Sequence, residues 1–366
     1  EEEPKPSSHV QVKDWLFSLG WEPASFDYKK NEDGTERKIP QVRVQGGEGK
    51  ELCPSVKVLI DKHPSVGVLD GLTVIQHRLS VFKGFLRDMS EDGYLKARVT
   101  GLTNTLRFKH TELVNLPGVE SAWGDEIRGS LVAHKGKILC GSDMCSLEST
   151  TKRHYMHPYD PMYVADMSVP GFDEHLDLAK LAGEVTQEDI DAYNDGSKPE
   201  LKPVRNKFKP ANYAGIYGVA KKTLSRQTGL SESECQRLLD IYWERNWAVK
   251  ELVKHLEIQR INGEMWLLNP VSKLWYSLRY EKDRFSTLNQ GTGVYCFDRW
   301  ISYILSKREQ LTGQFHDEII LEIKEGAEEK CHELLKWAID QVNKELKLNV
   351  ELDVDIQFGH KYSEIH

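Results

Sequence analysis

The sequence lacks several features that would assign it to a special class of protein. It contains no run of eighteen apolar residues, so no segment is predicted to span a membrane. It contains no internal repeat, and low complexity is confined to the first few residues. Six cysteines are scattered without any pair at metal-finger spacing: Cys53, Cys140, Cys145, Cys235, Cys296 and Cys331. We therefore expect reduced thiols in an intracellular protein, not a disulfide framework.

Strong positive charge is also missing. The formal net charge of -8 argues weakly against nucleic-acid binding, but it allows a basic cleft on an acidic body, because only the local field in a groove matters. The first residue is Glu1 instead of Met, and no apolar signal segment follows. We expect a trimmed chain, a processed product or an excerpt. A length of 366 residues is enough for two or three domains.

The order of periodic segments predicts an α+β fold in which a large helical insertion separates a few strands. In the first hundred residues we predict a helix over His9–Gly20 capped by Ser8, a loop over 30–52 and a helix over Val66–Met89. Further on we predict a strand at Lys137–Asp143, a helix at Ser146–Tyr155, a connection over 156–172, a strand-like piece at Met265–Leu278, a helix at Ser286–Arg308, two short strands within Thr312–Ile323, a helix at Ala327–Leu346 and a last strand alternating from Val350 to Phe358.

The segment RNKFKPANYAGIYG carries the most specific pattern in the chain. Arg205, Lys209, Tyr213 and Tyr217 are spaced four residues apart, which places two cations and two aromatic rings along one stripe of a helix. A nucleoside triphosphate is complementary to such a stripe, because its phosphates suit the cations and its sugar and base suit a ring. An ordinary surface helix with two packed tyrosines is the alternative interpretation.

Two acids stand where predicted strands end. Asp143 ends the strand before CSLE, and Asp317 lies in the joint of QFHDEIILEI. Either residue alone fits a cap or a turn. On adjacent strands, the two carboxylates would instead hold a pair of divalent ions for phosphoryl transfer, with phosphate supplying further ligands.

Taken in order, these segments resemble the motifs of the family A DNA polymerases. DMCSLE is similar to the first motif, RNKFKPANYAGIYG to the second, and FHDEI to the third, whose His-Asp-Glu core is intact. The resemblance runs from about Ser7 to the end of the chain. Further similar segments are Thr105-Leu106-Arg107 with the following ELVNLPGVES, Asp173-Glu174-His175, Asn289-Gln290-Gly291-Thr292 and the terminal His366. Pro117-Gly118-Val119 and Tyr213 favour the tailed-phage branch.

The resemblance implies a template-directed DNA polymerase with an antiparallel-sheet palm, helical fingers and a partial thumb, in the cytoplasm or the nucleoid of a host cell. The implied domains are a partial thumb (1–100), a palm in two parts (101–165 and 286–366) and fingers (166–285). Implied partners are primer-template DNA, deoxynucleoside triphosphates and a separate chain or upstream segment that supplies an exonuclease and the rest of the thumb.

Site roles also follow from the resemblance. Two Mg²⁺ ions would be held by Asp143, Asp317 and the carbonyl of Met144, with Glu318 in a supporting role. The nucleotide would contact Glu148, His175, Arg205, Lys209, Tyr213 and Tyr217, with Glu148 rejecting ribonucleotides. The primer-template would contact Arg107, Gln290 and His316. A catalytically idle DNA-binding remnant and a single-subunit RNA polymerase remain as alternatives, although Glu148 opposes the latter.

Two residues depart from the family pattern. Pro210 follows Lys209 directly, and because proline disfavours a helix at the preceding residue, we predict that the helix begins at or just before Pro210. Leu106 replaces the usual glycine between Thr105 and Arg107, which makes the backbone conformation of that segment uncertain from sequence.

Overall fold

The computed structural model describes residues 3, 5–31, 33–45, 50–111, 113, 115–307 and 310–365. The α-helices are α1 His9–Ser18, α2 Pro54–Lys62, α3 Leu69–Asp88, α4 Gly124–Gly129, α5 Leu147–Met156, α6 Pro161–Met167, α7 Glu174–Leu181, α8 Gln187–Asn194, α9 Lys202–Ile216, α10 Lys221–Thr228, α11 Glu232–Arg245, α12 Trp247–Lys254, α13 Arg284–Leu305 and α14 Glu328–Leu346. None of the helices within those ranges has both the length and the apolar character that crossing a bilayer requires.

The strands are β1 Phe26–Lys30, β2 Glu36–Pro40, β3 Arg43–Gln45, β4 Lys50–Leu52, β5 Arg98–Leu102, β6 Phe108–Thr111, β7 Lys137–Met144, β8 Ile258–Ile261, β9 Glu264–Leu268, β10 Trp275–Leu278, β11 Gly313–Phe315, β12 Glu318–Lys324 and β13 Val354–Gly359. The chain divides into two compact units, Glu1–Gly84 with Lys221–Cys235, and Phe85–Ala220 with Gln236–His366.

The first unit packs α1 and α2 around a small apolar core that includes Leu16, Trp21 and Val56. Ser8 caps α1 as predicted, since its side chain accepts a hydrogen bond from the amide of Gln11. The loop predicted over 30–52 is wrong, because this region contributes strands to the hairpins β1–β2 and β3–β4. Charged residues fill these exposed strands, so the sequence shows no apolar alternation there.

The predicted helix over Val66–Met89 is interrupted near its start. Residues Pro64–Val68 form a 3₁₀-helix, and Asp70 and Gly71 are non-helical. Gly71 has a φ of 72°, in the left-handed region that glycine adopts without strain, and the regular helix continues from there to Asp88.

The second unit is built around an antiparallel sheet of strand order β11-β12-β7-β13. One face of this sheet packs against α13 and α14 through a large buried cluster, in which Cys140, Ile319 and Leu321 meet Trp300 and Leu335. The predicted strands at Lys137–Asp143 and within Thr312–Ile323 are confirmed, and so is the final helix. The last strand begins at Val354, four residues later than its alternating pattern indicates.

The other face of the sheet is covered by the C-terminal segment. Tyr362 and Ile365 pack on Leu139 and Ile320 in a second apolar cluster. Gly141 permits this close approach, because a Cβ atom there would lie 2.8 Å from the carbonyl oxygen of Ile365. His366, which the motif comparison singles out, lies outside the described residues.

Helices and a small sheet make up the insertion between β7 and β11. Strands β8, β9 and β10 form an antiparallel sheet within the predicted strand-like region, and α7 packs along α9. The connection predicted over 156–172 contains α6, which Asp160 caps by accepting the amide of Tyr163 at 3.0 Å. Pro161 at the first turn is compatible with that helix start.

Candidate active site

The ends of β7 and β12 bring two predicted acids together. The strands are antiparallel with Asp143 opposite Glu318, and the amide of Met144 donates to the carbonyl oxygen of Asp317 at 3.1 Å. Asp143 is exposed and Asp317 is half-buried. The backbone therefore brings two acids that are far apart in sequence to the same edge of the sheet.

A third acid joins this edge that the sequence did not single out. Asp355 on β13 lies directly opposite Asp143, and directly opposed residues project from the same face of a sheet. The electrostatics agree, since burial and then the charges of Asp353, Asp143 and Asp355 raise the pKa of the Cys145 thiol. In the sequence, Asp355 is one of three acids that alternate with apolar residues along this last segment, and that alternation is the signal that places its side chain on the polar face.

Glu318 belongs to the supporting structure of this edge. Its side chain is buried, and the hydroxyl of Tyr362 donates to Oε2 at 3.2 Å. Burial, and then the nearby charge of Glu318, raise the pKa of Tyr362. The contact joins the C-terminal segment to the start of β12, beside Asp317.

The donor set at this edge suits a hard divalent cation. Asp143 and Asp317 supply carboxylate oxygens, which Mg²⁺ prefers, and Mg²⁺ keeps several ligands from water or substrate phosphate. The described residues contain no group of three or more His, Cys, Asp or Glu side chains arranged to enclose a metal. Asp143 and Asp317 alone would therefore fit only an ion that takes its remaining ligands from water or from a bound molecule.

Helix α9 carries the basic and aromatic stripe. It runs from Lys202 to Ile216 with Pro203 in its first turn and Pro210 in its interior. The prediction that the helix begins at or just before Pro210 is wrong. Pro210 cannot donate to the carbonyl of Asn206, but buried Phe208 beside it packs the helix against its neighbours, and this tertiary packing offsets the lost hydrogen bond.

The start of α7 lies beside this stripe. Oδ1 of Asp173 accepts the amides of His175 and Leu176, while Oδ2 accepts a hydrogen bond from Nε of Arg205 at 2.5 Å. Lys209 is exposed and its charge acts on His175. Arg205, Lys209 and His175 are thus gathered in one place.

His175 is held on two sides. Its Nδ1 lies 2.8 Å from Nδ2 of Asn212, and its ring centroid lies 6.0 Å from that of Tyr213. Burial lowers the pKa of His175; the charge of Asp173 opposes this shift. Sequence reasoning missed Asn212, although it directly precedes Tyr213 and follows Lys209 by three residues, on an adjacent part of the helix surface.

Glu148, Tyr217 and Gln290 form a chain of neighbouring polar side chains. The amide of Gln290 donates to the hydroxyl of Tyr217 at 3.2 Å, and the charge of Glu148 acts on that hydroxyl. Burial raises the pKa of Glu148. The positive charge of Arg107 opposes this shift and the negative charge of Asp317 adds to it, so Glu148 lies within electrostatic range of both. Asn289, which the sequence did not assign a role, donates to the carbonyl oxygen of Glu148 at 2.9 Å.

Arg107 and His316 line a small cavity next to this chain, together with His110 and Gln314. The rings of His110 and His316 meet edge to face with centroids 5.6 Å apart. Burial and then the charge of Arg107 lower the pKa of both histidines. The cavity is therefore a polar recess with neutral imidazoles and one cation.

Leu106, at the edge of the same cavity, keeps the backbone conformation that a glycine would adopt. Its φ is 66°, and its amide donates to the carbonyl of Thr103 in a tight turn. A left-handed conformation costs a residue with a Cβ atom roughly 1–2 kcal/mol. The turn therefore forms with leucine at this position, and Leu106 carries some local backbone strain.

All of the predicted site residues lie in the second compact unit, and they form two neighbouring groups. One group contains the acids at the sheet edge with Glu148, Tyr217, Gln290 and Arg107. The other contains Arg205, Lys209, His175 and Tyr213. Tyr213 and Tyr217 link the groups, since Tyr213 lies in the last turn of α9, Tyr217 is the C-cap of that helix, and the two side chains interact electrostatically. A sheet edge that carries carboxylates thus lies beside a helix that carries cations, a class of site that suits a polyanionic ligand together with divalent cations.

Comparisons with known proteins agree with this class. No protein-family model matches the chain. The chain is 24% identical over 303 residues to DNA polymerase I of Lactococcus lactis subsp. cremoris, covering 77% of this chain and 32% of that protein. It is 22% identical over 278 residues to the thermostable DNA polymerase I of Thermus filiformis, covering 72% and 31%. The chain thus spans about a third of the length of the curated relatives it matches.

Among solved structures, the POL domain of Pol1 from M. smegmatis, in complex with DNA primer-template and dNTP, matches with a TM-score of 0.71 and 19% identity. The match covers 100% of this chain and 62% of that chain. The predicted resemblance to the family A DNA polymerases is confirmed in sequence, and the predicted α+β polymerase fold is confirmed in structure. The closeness to the phage branch stays a prediction.

Proposed function

We propose that the chain is the polymerase portion of a template-directed DNA polymerase, which adds deoxynucleotides to a primer 3′-hydroxyl and releases pyrophosphate. The observation that carries this proposal is the meeting of Asp143 and Asp317 at the ends of paired strands. Glu148 on α5 lies within electrostatic range of Asp317, Arg107 and Tyr217, so a nucleotide at this edge would also meet the residue before β6 and the C-cap of α9.

Asp143, Asp317 and the carbonyl of Met144 would hold two Mg²⁺ ions. Bound there, the ions would lower the pKa of the primer hydroxyl and neutralise the charge of the leaving pyrophosphate. Glu318 would keep β12 in place through its contact with Tyr362. Asp143 lies near the end of β7 and Asp317 in the two-residue turn between β11 and β12, so backbone pairing of β7 with β12 would hold the two acids near each other.

The incoming nucleotide would lie along α9. Arg205, Lys209 and His175 would bind the triphosphate, and Tyr213 would support the sugar from its exposed position. Glu148 would occupy the space next to the sugar 2′ carbon and exclude a ribose hydroxyl. The hydrogen bond from the Asn289 side chain to the backbone carbonyl of Glu148 supports this role, because it holds the backbone of Glu148 in place.

The primer-template would contact Arg107, Gln290 and His316, which surround the acids on the side of β11 and α13. Thumb (1–100), fingers (166–285) and the two palm parts (101–165 and 286–366) are the domain boundaries that we propose. A proofreading exonuclease and further thumb helices would come from an upstream segment or a separate chain, and primer-template affinity with and without that partner tests this.

Primer extension tests the central proposal. The purified chain is incubated with a labelled primer-template, dNTPs and Mg²⁺, alongside Asp317→Asn and the matched control Asp340→Asn, an exposed acid on α14. We expect Asp317→Asn to lose more than about 100-fold in rate, because even outer-shell partners of a metal are worth roughly 10- to 100-fold. Extension that survives in Asp317→Asn, or a wild-type chain that binds primer-template without extending it, would overturn the proposal.

A further inference from the structure

Asn212 makes two hydrogen bonds from one nitrogen. Its side chain is only 4% exposed, and Nδ2 lies 3.0 Å from the carbonyl oxygen of Glu174 and 2.8 Å from Nδ1 of His175. Asn212 stands on α9 and the other two residues stand in the first turn of α7. The amide therefore joins the two helices where the nucleotide-binding group is assembled.

These contacts determine which nitrogen of His175 carries the proton. A backbone carbonyl only accepts, so the atom of Asn212 that faces Glu174 must be the NH₂ group and not the amide oxygen. One hydrogen of that group goes to the carbonyl, and the other points to Nδ1 of His175. Nδ1 must then be an acceptor without its own hydrogen. In a neutral ring this places the proton on Nε2, at the opposite edge of the imidazole.

The surroundings of His175 keep the ring neutral. Burial lowers its pKa, and the cations Arg205 and Lys209 act in the same direction. Asp173 and Glu174 oppose the shift, but Asp173 is engaged by Arg205 and Glu174 by Lys152, whose Nζ lies 2.8 Å from Oε2. The ring of Tyr213 lies beside the imidazole in a tilted arrangement, with the two ring centroids 6.0 Å apart.

We propose that Asn212 is a positioning residue that fixes His175 as the Nε2–H tautomer, so that a neutral imidazole presents a hydrogen-bond donor to the triphosphate. The proposal rests on the proposed function for the last step only, the contact with the triphosphate. An Nδ1–H tautomer would instead turn a lone pair toward phosphate oxygens and repel them. The donor edge is thus chosen by a residue that never touches the nucleotide.

The tautomer can be measured without any enzymatic reaction. Protein labelled with ¹⁵N-histidine is examined by NMR across the pH range, and the His175 signals are assigned as those missing from His175→Gln. We expect Nδ1 to be unprotonated and Nε2 protonated in the wild type above the histidine pKa. In the isosteric Asn212→Asp, which cannot donate, we expect the proton to move to Nδ1 and the pKa of His175 to rise.

A wild-type spectrum with a protonated Nδ1 would overturn the proposal, and so would an Asn212→Asp spectrum with the wild-type tautomer. Asn206→Ala serves as the control, because Asn206 lies on the same helix and makes no described contact with His175. Thermal unfolding of each variant shows whether it is folded. Should Asn212→Asp fail to fold, Asn212→Ala replaces it, with a mixture of the two tautomers as the expected result.

Kinetics supply the link to the nucleotide. In primer extension, Asn212→Ala should raise KM for dNTP about fivefold, with a smaller effect on kcat. A fivefold change in affinity corresponds to the net free energy of one neutral hydrogen bond. Asn206→Ala should change neither. If the wild-type chain does not extend primers, the proposed function fails while NMR still decides the tautomer. If it extends primers and the tautomer is Nδ1–H, the proposed function stands and only the role of Asn212 is rejected.

Discussion

The carboxylate of Asp173 serves two partners at once: one oxygen caps α7, and the other accepts a hydrogen bond from Nε of Arg205 at 2.5 Å. The ion pair is partly exposed, with 30% of the Arg205 side chain and 17% of the Asp173 side chain accessible to solvent. Arg205 therefore has a fixed direction before any nucleotide arrives. His175, two residues after Asp173, is placed by the same cap.

The helix cap and the ion pair that Asp173 makes can be separated by substitution. Asp173→Asn keeps an oxygen for the helix cap but removes the charge that holds Arg205, so we expect it to cost less than about 1 kcal/mol of stability. Asp173→Ala removes both and should cost about 1 kcal/mol more. Urea denaturation measures the difference. Because Arg205 loses its fixed direction in both variants, KM for dNTP should rise about fivefold in each. Equal KM values in Asp173→Asn and the wild type would show that the ion pair does not orient Arg205.

Glu148 provides a second prediction, on sugar selection. Shortening the side chain in Glu148→Ala would open space beside the sugar and remove a charge that acts on the Tyr217 hydroxyl. We expect ATP incorporation relative to dATP to rise by about 5- to 100-fold, the effect of relieving one unfavourable buried polar contact. Glu148→Gln keeps the volume and should stay close to the wild-type ratio. Comparing the two separates size from charge, and an unchanged ratio in Glu148→Ala would reject the role of Glu148 in sugar selection.

A third prediction concerns acid stability of the sheet. Glu322 on β12 accepts Nζ of Lys137 at 2.8 Å and the backbone amide of His134 at 2.8 Å. Burial alone would raise the pKa of Glu322, but the hydrogen bonds from Lys137 and His134 outweigh it and lower this pKa to about 2. A carboxylate whose pKa is lower in the folded than in the unfolded state stabilises the fold at any pH above its unfolded-state pKa. That contribution is lost as the pH falls toward 2.

The measurement compares the free energy of unfolding of the wild type and Glu322→Gln from pH 7 to pH 2. At pH 7 the variant should be less stable by about 1–2 kcal/mol, after allowance for its partly exposed partners. The gap should close between about pH 4.5 and pH 2. Glu325→Gln, at an exposed site one residue past β12, is the control and should differ by less than about 0.5 kcal/mol. A gap that persists to pH 2 would show that Glu322 acts by packing and not by charge.

Much of the site could be predicted from sequence because its parts carry strong local signals. Asp143 lies near the end of an apolar strand and Asp317 in the turn before another, while Arg205, Lys209 and Tyr213 lie on one helix whose C-cap is Tyr217. Such patterns fix which face or end of an element a side chain occupies. They do not fix what lies opposite, which is why Asp355 and Asn212 were missed: each acts through a partner on another element.

Other failures have different physical causes. The strands within 30–52 are short and rich in charged residues, and isolated apolar positions such as Val44 and Leu52, which pack on the core of the first unit, are too few to give a periodic signal. At Leu106 the sequence left the backbone conformation undecided, and the hydrogen bond from its amide to Thr103 closes a turn in which Leu106 is left-handed despite the cost of a Cβ atom.

Pro210 provides the last prediction, because it is a local preference that the structure overrides. It stands in the interior of α9 although it cannot donate to the carbonyl of Asn206. Replacing it in Pro210→Ala restores the donor and removes the ring, so we expect stability to rise by about 1–2 kcal/mol, less than the full 3 kcal/mol of a helix proline because the unfolded chain regains flexibility.

Pro203→Ala, in the first turn of the same helix, is the matched control. A first-turn proline has no hydrogen bond to restore, so this variant should be neutral or slightly destabilised. Denaturant unfolding of both variants decides the point: a loss of stability in Pro210→Ala would mean that the proline ring contributes more through packing than the helix loses in hydrogen bonding.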